Sequence, residues 1–261
     1  MLGDMIHNGG SVTSLIKFCR PEHNLVNGCY TIQLGTLEYY RDMDQSSHLA
    51  DCSEGVESVI VRSINTGSCS IEAARVIAPV IDMPHVHVRN LALSLTTPNC
   101  YVWCCSRLTE PIDGSAGSRF DPAYNSLFRI DDAGIFAAQV AALLMTYVKL
   151  TGFSDEARRL IEGLPVGEFG QVALHWHHAE VQYVDQKKSE VVDGQLAPYG
   201  EALPVPFRQL FTKPIRYGDD REYRFAFWFQ HPRCGMLSVR KDPLILPVLP
   251  ISTTGVLAST V

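Results

Sequence analysis

The sequence lacks any run of about 18 uninterrupted apolar residues, the length that a membrane-spanning helix needs. Its most apolar stretch, at 135–150, is better explained as a buried helix. The amino terminus lacks the basic start and apolar run of a secretory signal, and most of the eight cysteines lie in apolar stretches. We therefore expect a cytoplasmic protein with buried free thiols and no membrane partner.

An excess of positive charge is also absent, because 28 acidic residues outnumber 22 basic ones and give a net charge of −6. Such a chain has no general attraction to phosphate backbones, so a nucleic-acid partner is not expected. The sequence lacks four familiar motifs: a phosphate-binding loop, a dinucleotide glycine fingerprint, a G-x-S-x-G elbow and an H-E-x-x-H helix. Kinases, dehydrogenases and common hydrolases therefore fit poorly.

The hydrophobic pattern predicts an α+β fold with a mixed, mostly antiparallel sheet, one long helix and one or two short ones. We expect a single domain over 1–261, with a β-rich insertion at 56–95 and an extended carboxy-terminal tail at 242–261. The long helix should begin after a cap at Asp131 or Asp132. Strands are predicted at 14–19, 29–34, 69–81, 99–106 and 172–184, a second helix at 154–162, and a connecting segment at 190–206.

The stretch GDDREYRFAFWF, at 218–229, alternates charged and aromatic residues as it enters a strand. In an extended chain Glu222 and Arg224 share one face, while the aromatic residues between and after them share the other. One interpretation is an ion pair that caps the sheet. The other is a catalytic carboxylate whose pKa and position are set by Arg224 or Lys213.

Histidine and cysteine clusters offer further chemistry. The H-x-H patterns at 85–87 and 175–178 place paired rings on one strand face, but neither has a nearby Cys-x-x-Cys partner, so no metal is expected. Cys104 and Cys105 lie in an apolar strand, as buried thiols do, whereas Ser106 at the strand's exit is better placed to contact a ligand. A metal-dependent nuclease using Asp51, Glu54 and the histidines is a third hypothesis.

The order of the pieces carries a resemblance. Over 15–229 the chain carries five short motifs in a fixed order. They are IKF in the first strand, GTLEYYRD, ADCSEG, YVWCCS in the middle, and FTKPIRYGDDREYRF near the end. This succession resembles a poorly characterised domain family of bacteria and their phages. That resemblance implies a role in phage–host conflict, such as antiviral defence or a toxin, but no defined activity.

A second resemblance is to the arginine–serine–glutamate class of ADP-ribosyltransferases. It rests on an arginine near the first strand, a serine ending a middle strand, and an acid-x-acid pair opening a late strand. It implies that NAD is the substrate, with Glu222 and Asp220 as the catalytic acids. It places Arg20, or Arg41 in its stead, on the NAD phosphates, and Ser106 and Tyr40 near the nicotinamide. We expect Lys17 and Arg224 as further NAD-binding residues.

The alternative from another class is a noncatalytic binding or inhibitor protein. Its acidic loop at 42–57 would engage a basic surface of a host or phage protein, or the protein would sequester a nucleotide. The net negative charge and the absence of a familiar catalytic motif favour this hypothesis.

Overall fold

The computed structural model describes residues 15–43, 50–78, 80–81, 85–107, 117–118, 120–197 and 207–248. The predicted α+β fold with mostly antiparallel pairing is confirmed. The chain forms two compact units, of which the second consists of Ser53–Thr97 and Gln182–Asp219 and the first of the remainder. The stretch predicted as a β-rich insertion, 56–95, lies inside the second unit.

The strands in chain order are β1 Leu15–Cys19, β2 Thr31–Thr36, β3 Val56–Asn65, β4 His87–Thr96, β5 Tyr101–Arg107, β6 Ser126–Ile130, β7 Ala173–Glu180, β8 Gln182–Val184, β9 Lys188–Val192, β10 Gln195–Ala197, β11 Thr212–Pro214, β12 Glu222–His231, β13 Gly235–Leu237 and β14 Leu244–Pro247. The helices are α1 Leu37–Asp42, α2 Ile71–Ile77, α3 Ala133–Tyr147, α4 Asp155–Glu162 and α5 Phe207–Leu210. Short 3₁₀ turns lie at Pro21–His23, Leu150–Gly152, Phe169–Gln171 and Ile215–Asp220.

The first unit is built on one antiparallel sheet. Its central path runs β13-β12-β5-β1-β6, with β7 on the other edge of β12. Strand β2 pairs with the first half of β5, and β14 pairs with β2. Strands β12, β5 and β1, which carry the predicted catalytic segments or lead into them, are therefore immediate neighbours.

Helix α3 covers one face of this sheet and forms the main core with it. Its Phe136 ring lies 4.7 Å from Trp103 and 5.0 Å from Phe225, measured between ring centroids. Asp132 begins the helix as predicted, because its side chain accepts a hydrogen bond from the backbone N–H of Ile135. The aromatic side of β12 is thereby fixed toward α3, and the face that carries Glu222 is fixed away from it.

The second unit contains a four-stranded sheet in the order β10-β9-β3-β4, with α2 packed on it. The pairing of β11 with β8 is parallel and forms a separate two-stranded ribbon. A buried polar network also lies within this unit. The Glu57 carboxylate accepts hydrogen bonds from Arg208 at 2.6 Å, from Gln209 at 3.3 Å and from Ser189.

Two predicted segments differ in the structure. The strand predicted at 69–81 is wrong, because Ile71–Ile77 forms helix α2, whose N-cap Ser70 accepts from the N–H of Ala73. Apolar side chains at Ala73 and Val76 recur at helical spacing, and that signal outweighs the β-branched composition. The predicted connecting segment at 190–206 is also wrong over its first part, which contains the β9–β10 hairpin.

Candidate functional site

Glu222 and Ser106 are directly opposed partners on adjacent antiparallel strands. Ser106 also pairs with Ile16 on its other side, so β5 lies between β12 and β1 at this point. Glu222 is 7% exposed and Ser106 is 8% exposed. The two residues that the sequence singled out therefore occupy opposed, nearly buried positions on one face of the sheet.

The alternation of β12 separates the polar face from the core. Tyr223 and Phe225 face α3, with their ring centroids 5.4 Å apart. Glu222 and Arg224 consequently point to the opposite face, where Cys104 is the cross-strand partner of Arg224. We call this surface of the sheet the Glu222 face.

The Glu222 carboxylate is held by the guanidinium of Arg224. Both Nε and Nη2 of Arg224 donate to Oε1 of Glu222, at 2.8 Å and 2.7 Å. The Arg224 side chain is only 1% exposed, so the ion pair is shielded from water. Removing either partner would take away a hydrogen-bonded countercharge in a poorly solvated place, which makes the pair costly to break.

The backbone just before β12 is held in an unusual conformation. Arg221 has a φ of 44°, in the left-handed region that residues other than glycine seldom adopt. Its carbonyl oxygen accepts from the N–H of Arg107 at 2.8 Å, and the carbonyl of Glu222 accepts from Val181 at 2.9 Å. Asp220, 7% exposed, ends the preceding 3₁₀ turn. Arg107 of β5 and Val181, the residue after β7, thus fix the start of β12.

Tyr40 lies on the Glu222 face, farther along β5. A Cβ atom added to Gly35 would come within 2.6 Å of the Tyr40 ring, so the absence of a side chain at Gly35 makes room for that ring. Gly35 pairs with Val102, two residues from the Arg224 partner Cys104. Tyr40 is therefore about 7 Å along the strand from the level of Arg224.

Arg20 is not beside Glu222. Arg20 comes just after β1 and four residues after Ile16, the strand partner of Ser106. Four residues of extended chain span about 13 Å, so Arg20 lies about that far from the level of Ser106. Its guanidinium binds the Asp121 carboxylate at 3.1 Å, with 47% of the Arg20 side chain exposed. The pKa of Asp121 lies below its usual value, chiefly because its carboxylate accepts a hydrogen bond from the N–H of Ala123 and next because Arg20 donates to it.

Arg41 and Lys17 occupy two further environments. Arg41, in the last turn of α1, lies 3.8 Å from Glu38. Lys17 donates to the carbonyl of Cys104 at 2.7 Å, and its Nζ lies 4.9 Å from the centroid of Trp103 on the α3 side of the sheet. Lys17 is therefore on the face opposite Glu222.

The thiol of Cys105 has the properties of a core group. Burial raises the pKa of Cys105 well above its ordinary value, and nearby Lys17 offsets only part of that effect. Its sulfur contacts the carbonyl of Tyr223 at 3.6 Å. Because a nucleophilic cysteine needs thiolate character, Cys105 is poorly suited to covalent chemistry.

Sequence reasoning weighed the β7 histidines as metal ligands and set that role aside, but it did not place them near Glu222, whose face two of them share. His177 pairs with Ala226, and His175 pairs with Trp228. The rings of His175 and Trp228 stack, with their centroids 5.8 Å apart. Burial lowers the pKa of both histidines. Within the described residues, no group of three or more His, Cys, Asp or Glu side chains is arranged to hold a metal ion.

Comparisons with protein-family models, with curated proteins and with solved structures each found no match for this chain. None of the helices in the described residues is long and apolar enough to cross a membrane.

Proposed function

We propose that this protein is an enzyme that consumes NAD, either by transferring ADP-ribose or by hydrolysing the bond between nicotinamide and ribose. The observation that supports this proposal is the direct cross-strand pairing of Glu222 with Ser106. The order β12-β5-β1 adds support, since the resemblance assigns its glutamate and serine to two of these strands and its arginine to the end of the third.

Glu222 has the chemical role of stabilising positive charge. When the glycosidic bond breaks, nicotinamide leaves with the bonding electron pair, and positive charge develops on the ribose ring. A fixed carboxylate beside that ring lowers the energy of the transition state. The acceptor or a water molecule then bonds to the anomeric carbon and loses a proton.

Arg224 is the positioning residue for this carboxylate. Its two nitrogen donors hold Oε1 of Glu222 in one position, as the charge-stabilising role requires. Ser106 supplies a hydroxyl group for the nicotinamide amide. Tyr40 offers an aromatic surface farther along the same face.

The pyrophosphate contact is assigned to Arg20, as in the resemblance. Forked hydrogen bonds from a guanidinium suit phosphate oxygens. Arg20 is now paired with Asp121, so it must exchange that exposed carboxylate for phosphate when NAD binds. Arg20→Gln should therefore raise KM for NAD more than it lowers kcat.

The test measures nicotinamide released from NAD by the purified full chain. Glu222→Gln should lower release at least about 100-fold, the scale expected when one charge-stabilising group is lost. Glu180→Gln is the matched control. Glu180, the last residue of β7 beside β12, is also in an ion pair, with Arg107, but its side chain is 46% exposed. Full turnover by the Glu222→Gln variant would overturn the assignment.

The noncatalytic alternative loses much of its proposed surface. Of the five acidic residues at 42–57, Asp51, Glu54 and Glu57 are at most 1% exposed. A fourth, Asp42, binds Lys241 at 2.7 Å, and Asp44 lies outside the described residues. Binding of NAD without any product from the wild-type chain would favour the noncatalytic alternative.

A further inference from the structure

The turn that precedes β2 contains the dipeptide Asn27–Gly28. Both residues are exposed, and Gly28 has a φ of 93°, in the left-handed region that glycine adopts without strain. A Cβ atom added to Gly28 would meet none of the described atoms within 4 Å. The backbone of Gly28 is therefore open to the side chain of the residue before it.

The hydrogen bonds of the turn pass around this dipeptide. The N–H of Asn27 and the N–H of Cys29 both donate to the carbonyl of Asn24, each at 3.1 Å. The N–H of Gly28 and the side-chain amide of Asn27 form no hydrogen bond with any described residue. No such bond holds the Gly28 nitrogen away from the Asn27 side chain.

Asn24, earlier in the same turn, has the opposite environment. It is 3% exposed, and its amide nitrogen donates to the hydroxyl of Ser126 at 2.8 Å and to the carbonyl of Leu127 at 3.0 Å. Its side-chain oxygen accepts from the N–H of Val26 at 2.9 Å. The turn is thus fixed at Asn24, while Asn27 lies on its solvent side.

We propose that Asn27 is a site of spontaneous deamidation in the folded protein, with water as the co-reactant. The Gly28 nitrogen gives up its proton and bonds to Cγ of Asn27. The Cγ–Nδ2 bond breaks, and the departing nitrogen takes up a proton and leaves as ammonia. Water then opens the resulting succinimide at one of its two carbonyls. One opening gives aspartate, and the other gives isoaspartate, in which the backbone runs through the former Cγ.

The glycine makes this ring closure easier in two ways. The attacking nitrogen must approach the preceding side chain, and glycine has no Cβ to block that approach. The wide φ/ψ range of glycine also lets the backbone reach the geometry of the ring. Because Gly28 is exposed and its N–H is not bonded within the described residues, folding removes neither advantage.

Deamidation changes the charge of the turn and, in the isoaspartyl form, its length. An uncharged amide becomes a carboxylate, and isoaspartate adds one carbon to the backbone between Asn24 and Cys29, whose hydrogen bond closes the turn. The N–H of Cys29 should therefore exchange faster with solvent in the isoaspartyl form. Asn27 and Gly28 are outside the hydrophobic core, so thermal unfolding should change little.

The test incubates the full chain at mildly alkaline pH and follows Asn27 by tryptic peptide mass spectrometry, with fragmentation that distinguishes aspartate from isoaspartate. A parallel incubation in guanidinium chloride gives the rate for the unfolded chain. The two rates should agree within a few-fold, and both products should form. Trypsin cleaves after Lys17, so a second Asn-Gly at Asn8–Gly9, outside the described residues, falls on another peptide.

Two controls make the test specific. Asn125 is exposed like Asn27 but precedes Ser126, whose Cβ hinders attack, so it should deamidate at least about tenfold more slowly, a barrier difference of about 1.4 kcal/mol. Asn27→Gln should abolish the reaction at this position, because the longer side chain must close a less favourable six-membered ring. Equal rates at Asn27 and Asn125 would overturn the proposal; so would an Asn27 that stays intact in the folded chain while it deamidates in guanidinium chloride.

Discussion

Arg224 and Glu222, two residues apart on one strand face, form an ion pair in which two guanidinium nitrogens hold a single carboxylate oxygen. Such a pair is compatible with a purely structural role as well as with a catalytic one. The two roles differ in what each side chain contributes to stability and to turnover. Separate measurements on the two residues therefore distinguish them.

Arg224→Met should destabilise the protein by about 3 to 5 kcal/mol, because it removes the buried guanidinium that binds Oε1 of the shielded Glu222 carboxylate. Urea unfolding followed by circular dichroism measures this loss. Arg233→Met is the control, since Arg233 binds Glu168 at 2.9 Å but its side chain is 64% exposed. That exposed pair should contribute little, and equal losses in the two variants would contradict the account.

In the second unit, Glu57→Ala should destabilise the β3–β9 pairing strongly. The substitution removes the acceptor shared by Arg208, Gln209 and Ser189, and with it the buried ion pair of the 3% exposed Arg208 guanidinium. Hydrogen exchange of the β3 and β9 amides should accelerate by two or more orders of magnitude.

Glu190→Ala is the control for this experiment. Glu190 lies on β9 and binds Arg62 at 3.2 Å, but its side chain is 37% exposed. Amide exchange in this variant should stay close to wild type. Equal acceleration in the two variants would show that the buried network contributes no special stability.

The folded protein should lose stability as the pH falls below about 6.5, in part because of His175 and His177. Burial lowers the pKa of both, so the unfolded chain binds these protons at a higher pH than the folded chain does. Their contribution is present above the unfolded pKa and is lost as the pH falls toward the folded values. Thermal unfolding between pH 7.5 and 5.5 measures the effect, and a His175→Gln/His177→Gln variant should show a shallower dependence. An unchanged dependence would contradict it.

The sulfur of Cys105 should resist alkylation in the folded protein. Burial raises its pKa well above the ordinary range, whereas Cys52 is exposed. Iodoacetamide at pH 8, followed by peptide mass spectrometry, should modify Cys52 within minutes and Cys105 only after unfolding in urea. Rapid modification of folded Cys105 would reopen the case for a cysteine nucleophile.

The sequence alone predicted the parts of the fold that depend on local signals. The alternation in β12 separated Glu222 from the aromatic core, and the Asp132 cap located the start of α3. Helix α2 was missed because its isoleucines and valine also suit strands, and the prediction gave that composition more weight than the helical spacing of Ala73 and Val76. The β9–β10 hairpin was missed although Asp193 and Gly194, with φ values of 49° and 77°, form a turn typical of hairpins.

The candidate site was predictable in its residues but not in its geometry. Adjacent strands bring Glu222 and Ser106 together, and nothing local to either segment encodes that pairing. The same pairing register leaves Arg20 beyond the end of β1 and turns Lys17 to the other face of the sheet. Distances between segments so far apart in sequence depend on sheet order, which residue patterns do not specify.

The most direct test of the central claim is nicotinamide release from NAD by wild type, Glu222→Gln and Ser106→Ala, with thermal unfolding of each as a check of folding. The account predicts measurable release by wild type, a loss of at least about 100-fold in folded Glu222→Gln, and a smaller loss in Ser106→Ala. No release by wild type across a range of acceptors, or equal release by wild type and Glu222→Gln, would contradict it.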